Sequence, residues 1–343
     1  MTDDRMAGAR EALAAYALED LELAPIEVGL INLTIKVRAK QGEFVLQRVN
    51  PIFSPKVHDD IEAVTAHLAK KGLTTTRLVP TRTGALFTAR GDEVWRVLTF
   101  LPGQTFERLQ SPAQAEQAGQ LLGRFHAAIQ DLDHQFQNRR LGVHDTPKHL
   151  ATLRAALSEK ADHPRAGVLV PLGEEILAAA ASLPVIGSLP DRVVHGDPKI
   201  SNLLFAGDGR GLALIDLDTL ARMPIVLELG DAFRSWCNPA GEDTTAVHFD
   251  LSLFGAAIQG YQAGAAGLLL PAERALIVPA TQTIILELAA RFAADALYER
   301  YFGWDPKRFA TRGEHNELRA RGQLALFRAL AQVADQAQAL IPR

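Results

Sequence analysis

The sequence is poor in cysteine and in aromatic residues. Cys237 is the only cysteine among 343 residues, and Phe, Trp and Tyr together make up 6%. A single cysteine excludes an intrachain disulfide and favours a reducing compartment. Because Cys237 stands in the mixed run RSWCNP, we expect a small buried hydrophobic residue and not a nucleophile.

The sequence also lacks an excess of positive charge and a long apolar run. Its formal net charge of −4 argues against a dedicated nucleic-acid-binding protein. No run approaches the roughly 18 unbroken apolar residues of a membrane span. The first residues, MTDDRMAGAREALAAYAL, begin acidic, unlike a secretory signal, and predict an amphipathic helix. We therefore expect a cytoplasmic protein that binds neither nucleic acid nor membrane.

Local patterns divide the chain near Pro102-Gly103. Residues 26–101 alternate around predicted turns at Gln41-Gly42 and Gly91-Asp92, with one helix between them that ends at Gly72. From Ser111-Pro112 onward helical patterns dominate, notably over 245–301 and 318–340. We predict an α+β fold with a small antiparallel-sheet lobe at residues 1–101 and a larger, mainly helical lobe at residues 102–343.

The segment HGDPKISN, residues 195–202, interrupts the helical region between two short apolar runs. Asp197 and Asn202 are five residues apart, as are the base aspartate and the metal-binding asparagine in the catalytic loop of protein kinases. Phosphoryl transfer needs a carboxylate for the attacking hydroxyl, oxygen ligands for Mg²⁺ and a cation for the transferred phosphate. We predict that Asp197 and Lys199 are catalytic and that Asn202 and Asp216 bind Mg²⁺.

The residue pattern alone leaves open which aspartate after LALI binds the metal. Asp216 and Asp218, in IDLD, would share one face of a strand, so either carboxylate could reach the metal. His195 is expected to brace the loop and not to act as a base.

Seven segments, in the same order along the chain, carry a resemblance to a known family: GLINLTIKV, FVLQRVNPIF, HDTP, IDLDT, GDAFR, ARFAAD and EHNELRAR. The chain resembles the aminoglycoside phosphotransferase and choline kinase superfamily over nearly its whole length. HGD…N and IDLD are superfamily marks, whereas HDTP and IDLDT point to the narrower group of N-acetylhexosamine 1-kinases. The resemblance implies a two-lobed protein kinase-like fold, ATP and Mg²⁺ as cofactors, and Asp216 as the metal-binding aspartate.

The resemblance also implies which residues bind nucleotide and acceptor. The nucleotide set lies in the N-terminal lobe: Gly29, Asn32, Gln47, Arg48, Thr99, Phe100 and Leu101. The acceptor set lies mainly in the helical lobe: His144, Asp145, Asp218, Arg234 and Arg291. Simpler interpretations stay open: an arginine such as Arg291 in an apolar helix often snorkels or pairs with a nearby acid such as Glu287, and the alternative role of His144 and Asp145 is only to cap the helix that follows Pro147.

The nucleotide-binding region departs from the protein-kinase pattern in two ways. Where a lysine is expected on the third strand to pair the nucleotide phosphates, the sequence reads VLQRVN, with Gln47 or Arg48 at that place. The loop expected to cover the nucleotide has one glycine, Gly29, where a triplet is usual.

We predict an ATP- and Mg²⁺-dependent kinase that phosphorylates a hydroxyl of a small molecule, first a hexose or N-acetylhexosamine. Aminoglycoside, choline and homoserine kinases are the alternatives within the superfamily. A non-catalytic nucleotide-binding relative would not need Asp197, Asn202 and Asp216 together. A metal hydrolase built on His195 and Asp197 would leave Lys199 unexplained and lacks further histidines at ligand spacing.

Overall fold

The computed structural model describes residues 3–26, 32–137, 144–187, 189–265 and 267–342. The chain forms two compact units. The first contains Met1–Gly103, Ala128–Arg140 and Ile215–Leu220; the second contains Gln104–Ala127, Leu141–Leu214 and Ala221–Arg343. The assignment of nucleotide binding to residues 1–101 and of acceptor binding to residues 102–343 stays a prediction.

The first unit is built on a five-stranded antiparallel sheet with the strand order β1-β2-β3-β5-β4. Its elements are α1 (Asp3–Leu13), β1 (Glu22–Ile26), β2 (Leu33–Ala39), β3 (Gly42–Val49), α2 (Val57–Lys70), β4 (Thr88–Arg90) and β5 (Glu93–Thr99). Arg90 pairs with Glu93, so the second predicted turn, at Gly91-Asp92, is confirmed. The first lies one residue before its predicted place, because Ala39 pairs with Gly42 and leaves Lys40 and Gln41 in the turn.

One face of this sheet forms an apolar core with α1. Ala12 and Leu13 of α1 pack with Ile35, Leu46 and Val97 from the three central strands. The predicted α2 is confirmed: Ile61, Val64 and Leu68 are buried along one stripe, and Gly72 follows the helix with a φ of 78°. The opposite face of the central strands carries polar side chains, which are described below with the site.

The second unit is mainly helical, with four short strands in its middle. Its helices are α3 (Pro112–Ile129), α4 (Thr146–Glu159), α5 (Ala166–Ala181), α6 (Ile225–Trp236), α7 (Leu251–Ala265), α8 (Pro271–Ala275), α9 (Ile277–Tyr298), α10 (Arg312–Gln332) and α11 (Ala334–Ala339). The strands are β6 (Asp191–Val194), β7 (Leu203–Phe205), β8 (Gly211–Leu214) and β9 (Ala221–Pro224). The start of α3 was predicted correctly, since the Ser111 hydroxyl accepts a hydrogen bond from the Gln114 backbone N–H.

Helix α9 is the central element of the second unit, packed by α4, α5, α6 and α10. By length and composition α9 could also cross a membrane, but 78% of its most apolar window is buried inside the protein. A core helix enclosed by other helices has the same composition as a membrane span. The α+β class, with a small antiparallel sheet and a larger helical part, is confirmed.

Candidate active site

The loop of residues 195–202 lies between β6 and β7, and each of these strands pairs with a later one, β6 with β9 and β7 with β8. Within the loop, Lys199 Nζ lies 2.5 Å from Asp197 Oδ2. The Asn202 side-chain amide donates to the Asp197 backbone carbonyl at 2.9 Å and to Oδ2 at 3.1 Å. The three residues predicted from the sequence are therefore in direct contact.

The charge of Asp197 is set by its neighbours. Burial raises the pKa of this carboxyl, but the charge and hydrogen bond of Lys199, with a smaller effect of the Arg234 charge, outweigh burial and hold the pKa below its usual value. Asp197 is therefore ionised at neutral pH. A carboxylate with a low pKa orients a hydroxyl well and removes its proton only as phosphoryl transfer proceeds.

Helix α6 holds this loop at three points, which the sequence alone did not reveal. The Glu228 carboxylate accepts from the Gly196 backbone N–H at 2.8 Å. The Trp236 indole donates to the Pro198 carbonyl at 2.8 Å, and the Ser235 hydroxyl accepts from the Ile200 N–H at 3.3 Å. The resemblance marked GDAFR as significant, but no spacing rule assigns such contacts to the residues around it.

Glu228 is itself fixed by buried partners. It is fully buried and contacts His126 Nε2 at 2.9 Å, while His126 Nδ1 contacts the Tyr261 hydroxyl at 2.9 Å. Burial raises the pKa of Glu228, but the His126 hydrogen bond and charge, with a smaller effect of the Gly196 N–H, lower it below its usual value. An ionised Glu228 thus accepts from the loop backbone of Gly196, whose φ of 86° suits glycine.

The predicted metal ligand Asp216 belongs to the first unit and lies two residues after the end of β8 in the chain. Its φ and ψ of 63° and 58° are left-handed, a conformation that costs a non-glycine residue about 1–2 kcal/mol. A short 3-10 turn, Leu217–Thr219, begins after it. Strained residues of this kind concentrate at functional sites, where surrounding contacts hold them.

Oxygen atoms suited to Mg²⁺ are present on both predicted ligands. The Asn202 amide nitrogen is engaged with Asp197, so its carbonyl oxygen is the group that suits a metal, and Asp216 supplies a carboxylate. The described residues contain no group of three or more His, Cys, Asp or Glu side chains placed to hold an ion. Each side chain by itself therefore offers the kind of oxygen that Mg²⁺ binds, and Mg²⁺ takes most of its other ligands from phosphates and water.

Asp218 has a different environment from Asp216. It is 1% exposed and receives two hydrogen bonds from the Arg96 guanidinium, at 2.5 and 2.9 Å, and one from the Asn32 amide at 2.7 Å. Burial raises the pKa of Asp218, but the Arg96 charge and hydrogen bonds and the Asn32 amide lower it below its usual value. Its predicted contact with the acceptor stays a prediction.

The predicted nucleotide-binding residues are placed as follows. Gln47 accepts from Arg96 at 2.7 and 2.9 Å, and Arg48 pairs with Glu93 at 2.6 Å. Thr99 is the last residue of β5, and its hydroxyl accepts from the Arg77 backbone N–H. Phe100 and Leu101 come next in the chain, and Lys36 Nζ lies 3.9 Å from the centre of the Phe100 ring. Gly29 lies outside the described residues. Their roles in nucleotide binding remain predictions.

His144 and Asp145 precede α4 and have different contacts. The Asp145 carboxylate caps α4 by accepting from the Lys148 N–H at 3.1 Å, which is the simpler interpretation given above. His144 Nδ1 instead contacts the buried Glu287 carboxylate at 3.0 Å, and the Thr146 hydroxyl donates to the other Glu287 oxygen at 2.6 Å. His144 Nε2 is buried and has no hydrogen-bond partner among the described residues.

The two candidate arginines also differ. Arg234 is 6% exposed and bonded to Asp231 at 2.9 Å and Glu242 at 2.7 Å. Arg291 does not pair with Glu287, which is taken by His144 and Thr146; its guanidinium lies 5.8 Å and 5.4 Å from the ring centres of Tyr301 and Phe302. Asp231 and Arg291 are both close enough to His144 to affect its pKa. These side chains form one polar cluster of His144, Asp231, Arg234, Glu287 and Arg291, called the acceptor cluster below because acceptor binding is predicted for His144, Arg234 and Arg291.

Comparison with known proteins identifies the family. Residues 22–270 match the phosphotransferase enzyme family, and the chain belongs to it. Homoserine kinase of Granulibacter bethesdensis is 26% identical over 296 residues, covering 84% of this chain and 86% of that protein. Homoserine kinase of Azorhizobium caulinodans is 25% identical over 263 residues, covering 76% and 78%.

Solved structures share the fold. An amicoumacin kinase in complex with AMP-PNP and Ca²⁺ has a TM-score of 0.64 at 14% identity, covering 94% of this chain and 93% of that one. A microcompartment-associated aminopropanol kinase has a TM-score of 0.64 at 16% identity, covering 98% and 99%. At these identities the likeness extends to the fold alone and confirms the predicted kinase-like fold.

Family membership confirms the predicted class of enzyme, an ATP-dependent small-molecule kinase that uses a divalent metal. The predicted superfamily is confirmed as well. The narrower resemblance to N-acetylhexosamine 1-kinases is not among these findings, and the sugar acceptor is taken up next as a proposal.

Proposed function

We propose that this protein is an ATP- and Mg²⁺-dependent kinase that phosphorylates a hydroxyl of a small polar acceptor, first a hexose or N-acetylhexosamine. The contact of Asp197 with Lys199 and Asn202, on a loop held by α6, carries the proposal. In it, Asp197 orients the acceptor hydroxyl and Lys199 offsets charge on the transferred phosphoryl group. Asn202 and Asp216 hold Mg²⁺, which neutralises the phosphates of the bound nucleotide.

The acceptor cluster supports the choice of acceptor class. It is linked to Asp197 electrostatically, since the Arg234 charge lowers the pKa of Asp197. The Arg291 guanidinium is a donor, as is His144 Nε2 in the imidazolium form, and neither bonds to a carboxylate among the described residues. An acceptor rich in oxygen atoms, such as a sugar with hydroxyl and acetamido groups, would satisfy both donors.

Homoserine is the second candidate, favoured by the two homoserine kinases among the relatives. Its carboxylate would also suit an arginine and a protonated histidine. A quaternary ammonium or a polycationic aminoglycoside would bring positive charge to these donors, so the cluster argues against both.

An acceptor screen tests the proposal. The purified protein, ATP and Mg²⁺ would be incubated separately with N-acetylglucosamine, N-acetylgalactosamine, glucose, galactose, homoserine, choline and an aminoglycoside, with ADP release as the readout and Asp197→Asn as the inactive control. We expect turnover with at least one hexose or N-acetylhexosamine, and an Asp197→Asn rate lower by about 100-fold or more. Turnover with homoserine and with none of the sugars would make homoserine, the second candidate, the acceptor. A folded wild-type protein that phosphorylates none of these compounds would contradict the proposal.

The role of Arg291 is tested with the acceptor that the screen identifies. Arg291→Ala should raise the acceptor KM at least about tenfold, or about 1.4 kcal/mol of lost binding, and leave the ATP KM near the wild-type value. Arg300→Ala is the matched control, because Arg300 also lies over an aromatic ring, that of Tyr298 at 4.3 Å, but is exposed. Equal effects of the two substitutions would return Arg291 to a structural role.

A further inference from the structure

Arg96 is an almost completely buried arginine in the middle of the sheet of the first unit, with 1% of its surface exposed. It lies opposite Gln47 of β3, which lies opposite Thr34 of β2, so the three side chains form a row across one sheet face. The apolar core with α1 is on the other face, where Ile35, Leu46 and Val97 project. Burying a cation is costly unless it is paired and hydrogen-bonded.

The pairing of Arg96 is geometrically specific. Nη1 and Nη2 donate to the two carboxylate oxygens of Asp218 at 2.5 and 2.9 Å, while Nε and Nη2 donate to Gln47 Oε1 at 2.9 and 2.7 Å. Gln47 is oriented in turn by donating to the Thr34 hydroxyl at 3.3 Å. A lysine could not reproduce this fork, because its ammonium has no planar pair of donors.

A second set of hydrogen bonds, through Asn32, connects Asp218 to the same sheet. The Asn32 amide nitrogen donates to Asp218 Oδ2 at 2.7 Å, and the Asn32 amide oxygen accepts from the Asn50 N–H at 2.8 Å. Asp218 therefore contacts Arg96 of β5 and Asn32, which precedes β2. These two residues link it in turn to β3, through Gln47, and to Asn50 after β3. It stands two residues after Asp216, inside the Leu217–Thr219 turn that the left-handed Asp216 begins.

We propose that Arg96 is a positioning residue that acts through Asp218 to fix the Leu217–Thr219 turn and so the orientation of the Asp216 carboxylate. The inference rests on the proposed function in one respect, the role of Asp216 as a metal ligand. Arg96 lies on β5 opposite Gln47, one of the two residues at the place expected for the third-strand lysine, and Gln47 orients its guanidinium. Arg96 holds the turn and does not pair the nucleotide phosphates as that lysine would, because its donors are directed to Asp218 and Gln47.

Metal binding is the readout that separates this role from a general effect on stability. Free Mn²⁺ would be measured by electron paramagnetic resonance in titrations of the protein with ADP present, beside the Mg²⁺ dependence of turnover. Arg96→Gln should weaken Mn²⁺ binding and raise the Mg²⁺ concentration for half-maximal activity at least about tenfold, with the acceptor KM within about twofold of wild type. Arg38→Gln is the control, since Arg38 forms exposed ion pairs with Glu22 and Glu43 on the same sheet.

A double-mutant cycle tests the route through Asp218. Asp218→Asn should produce the same metal defect, and the combination with Arg96→Gln should be no worse than the stronger single change, because both break one contact. If Arg96→Gln does not fold, Arg96→Lys carries the test, with an intermediate loss of metal affinity expected because it keeps the charge without the fork. Wild-type metal binding in a folded Arg96 variant, or additive losses in the cycle, would overturn the proposal.

Asp216→Ala distinguishes failure of this inference from failure of the proposed function. If Asp216→Ala abolishes Mn²⁺ binding and Arg96→Gln leaves it unchanged, the positioning role is wrong and the metal assignment stands. If Asp216→Ala binds Mn²⁺ as wild type does, the metal assignment is wrong and the inference falls with it.

Discussion

At the scale of single residues, His144 combines two features that favour a ligand contact. Burial lowers its pKa, but the hydrogen bond and charge of Glu287 and the charge of Asp231 outweigh burial and the opposing Arg291 charge, so the pKa is raised above its usual value. The two carboxylates thus favour the imidazolium form relative to a free histidine, and in that form Nδ1–H is donated to Glu287 and Nε2–H is a buried donor. When the proton is lost and Nδ1–H stays on Glu287, Nε2 becomes an acceptor.

The acceptor KM should therefore depend on pH. Because the pKa in the folded protein is raised above about 6.5, binding by Nε2–H is complete below that pH and is lost as pH rises through the folded pKa. The same direction holds for any stability that the His144–Glu287 pair contributes. We expect the wild-type acceptor KM to increase toward high pH, measured at saturating ATP, and His144→Gln to flatten this increase, because an amide nitrogen donates at every pH. An identical pH profile in the two proteins would exclude His144 from the acceptor contact.

Residue types and spacing in the sequence were sufficient to find the contact between Asp197, Lys199 and Asn202. They were insufficient for Arg96. In VWRVLTF alternation puts the arginine on the strand face opposite Val97 and the apolar core, yet it is buried because Asp218, 122 residues later in the chain, pairs with it. Such a long-range pairing arises from the tertiary structure and cannot be predicted from a local sequence pattern.

At the scale of elements, helices α3 and α7 approach so closely that the glycines where they cross have no room for a side chain. A Cβ on Gly260 would lie 1.9 Å from the Glu116 carbonyl, and one on Gly119 would lie 2.0 Å from the Ala257 carbonyl. This contact brings Tyr261 of α7 to His126 of α3, which in turn contacts Glu228. The α3–α7 pair therefore supports the backbone of the 195–202 loop indirectly, through His126 and Glu228.

Gly260→Ala should separate these helices. Overpacking costs about 1–3 kcal/mol, and we also expect kcat to fall because Glu228 loses part of its support. The measurements are the midpoint of urea denaturation and kcat. Gly255→Ala, on the same helix, is the control: its Cβ would meet only the Leu340 side chain, at 3.5 Å, so the stability should be unchanged or higher by up to about 1 kcal/mol. Equal stabilities of the two variants would contradict the close packing.

The elements themselves were predictable to different degrees. The α2 stripe and the Ser111 cap gave correct helices, because both signals are local. Helix α10 begins at Arg312 and not at 318, since its start depends on a cap by the Thr311 hydroxyl, which accepts from the Glu314 N–H at 3.0 Å. Among the described residues, the stretch 245–301 that was predicted as helical is divided into α7, α8 and α9. The breaks before Pro271 and after Ala275 were not predicted, because the apolar pattern continues across them.

At the scale of the whole molecule, ligand binding is linked to stability. A ligand that binds only the folded protein stabilises it by about 2.7 kcal/mol at 100 times its Kd. Mg²⁺ with ADP should therefore raise the Tm by several degrees, and Asp216→Ala should abolish the Mg²⁺-dependent part while leaving any metal-free effect of ADP. Calorimetric melts with and without EDTA measure this difference. A Mg²⁺-dependent shift that persists in Asp216→Ala would place the metal on other residues.

The lone cysteine of the chain has a practical consequence. Burial raises the pKa of the Cys237 thiol well above its usual value, so little thiolate is available to maleimides or iodoacetamides. The unmodified protein can thus serve as the unreactive control in thiol-labelling experiments. A cysteine introduced at a site as exposed as Val185, which is 92% accessible, would take up one fluorophore or spin label per chain with no background substitution to remove.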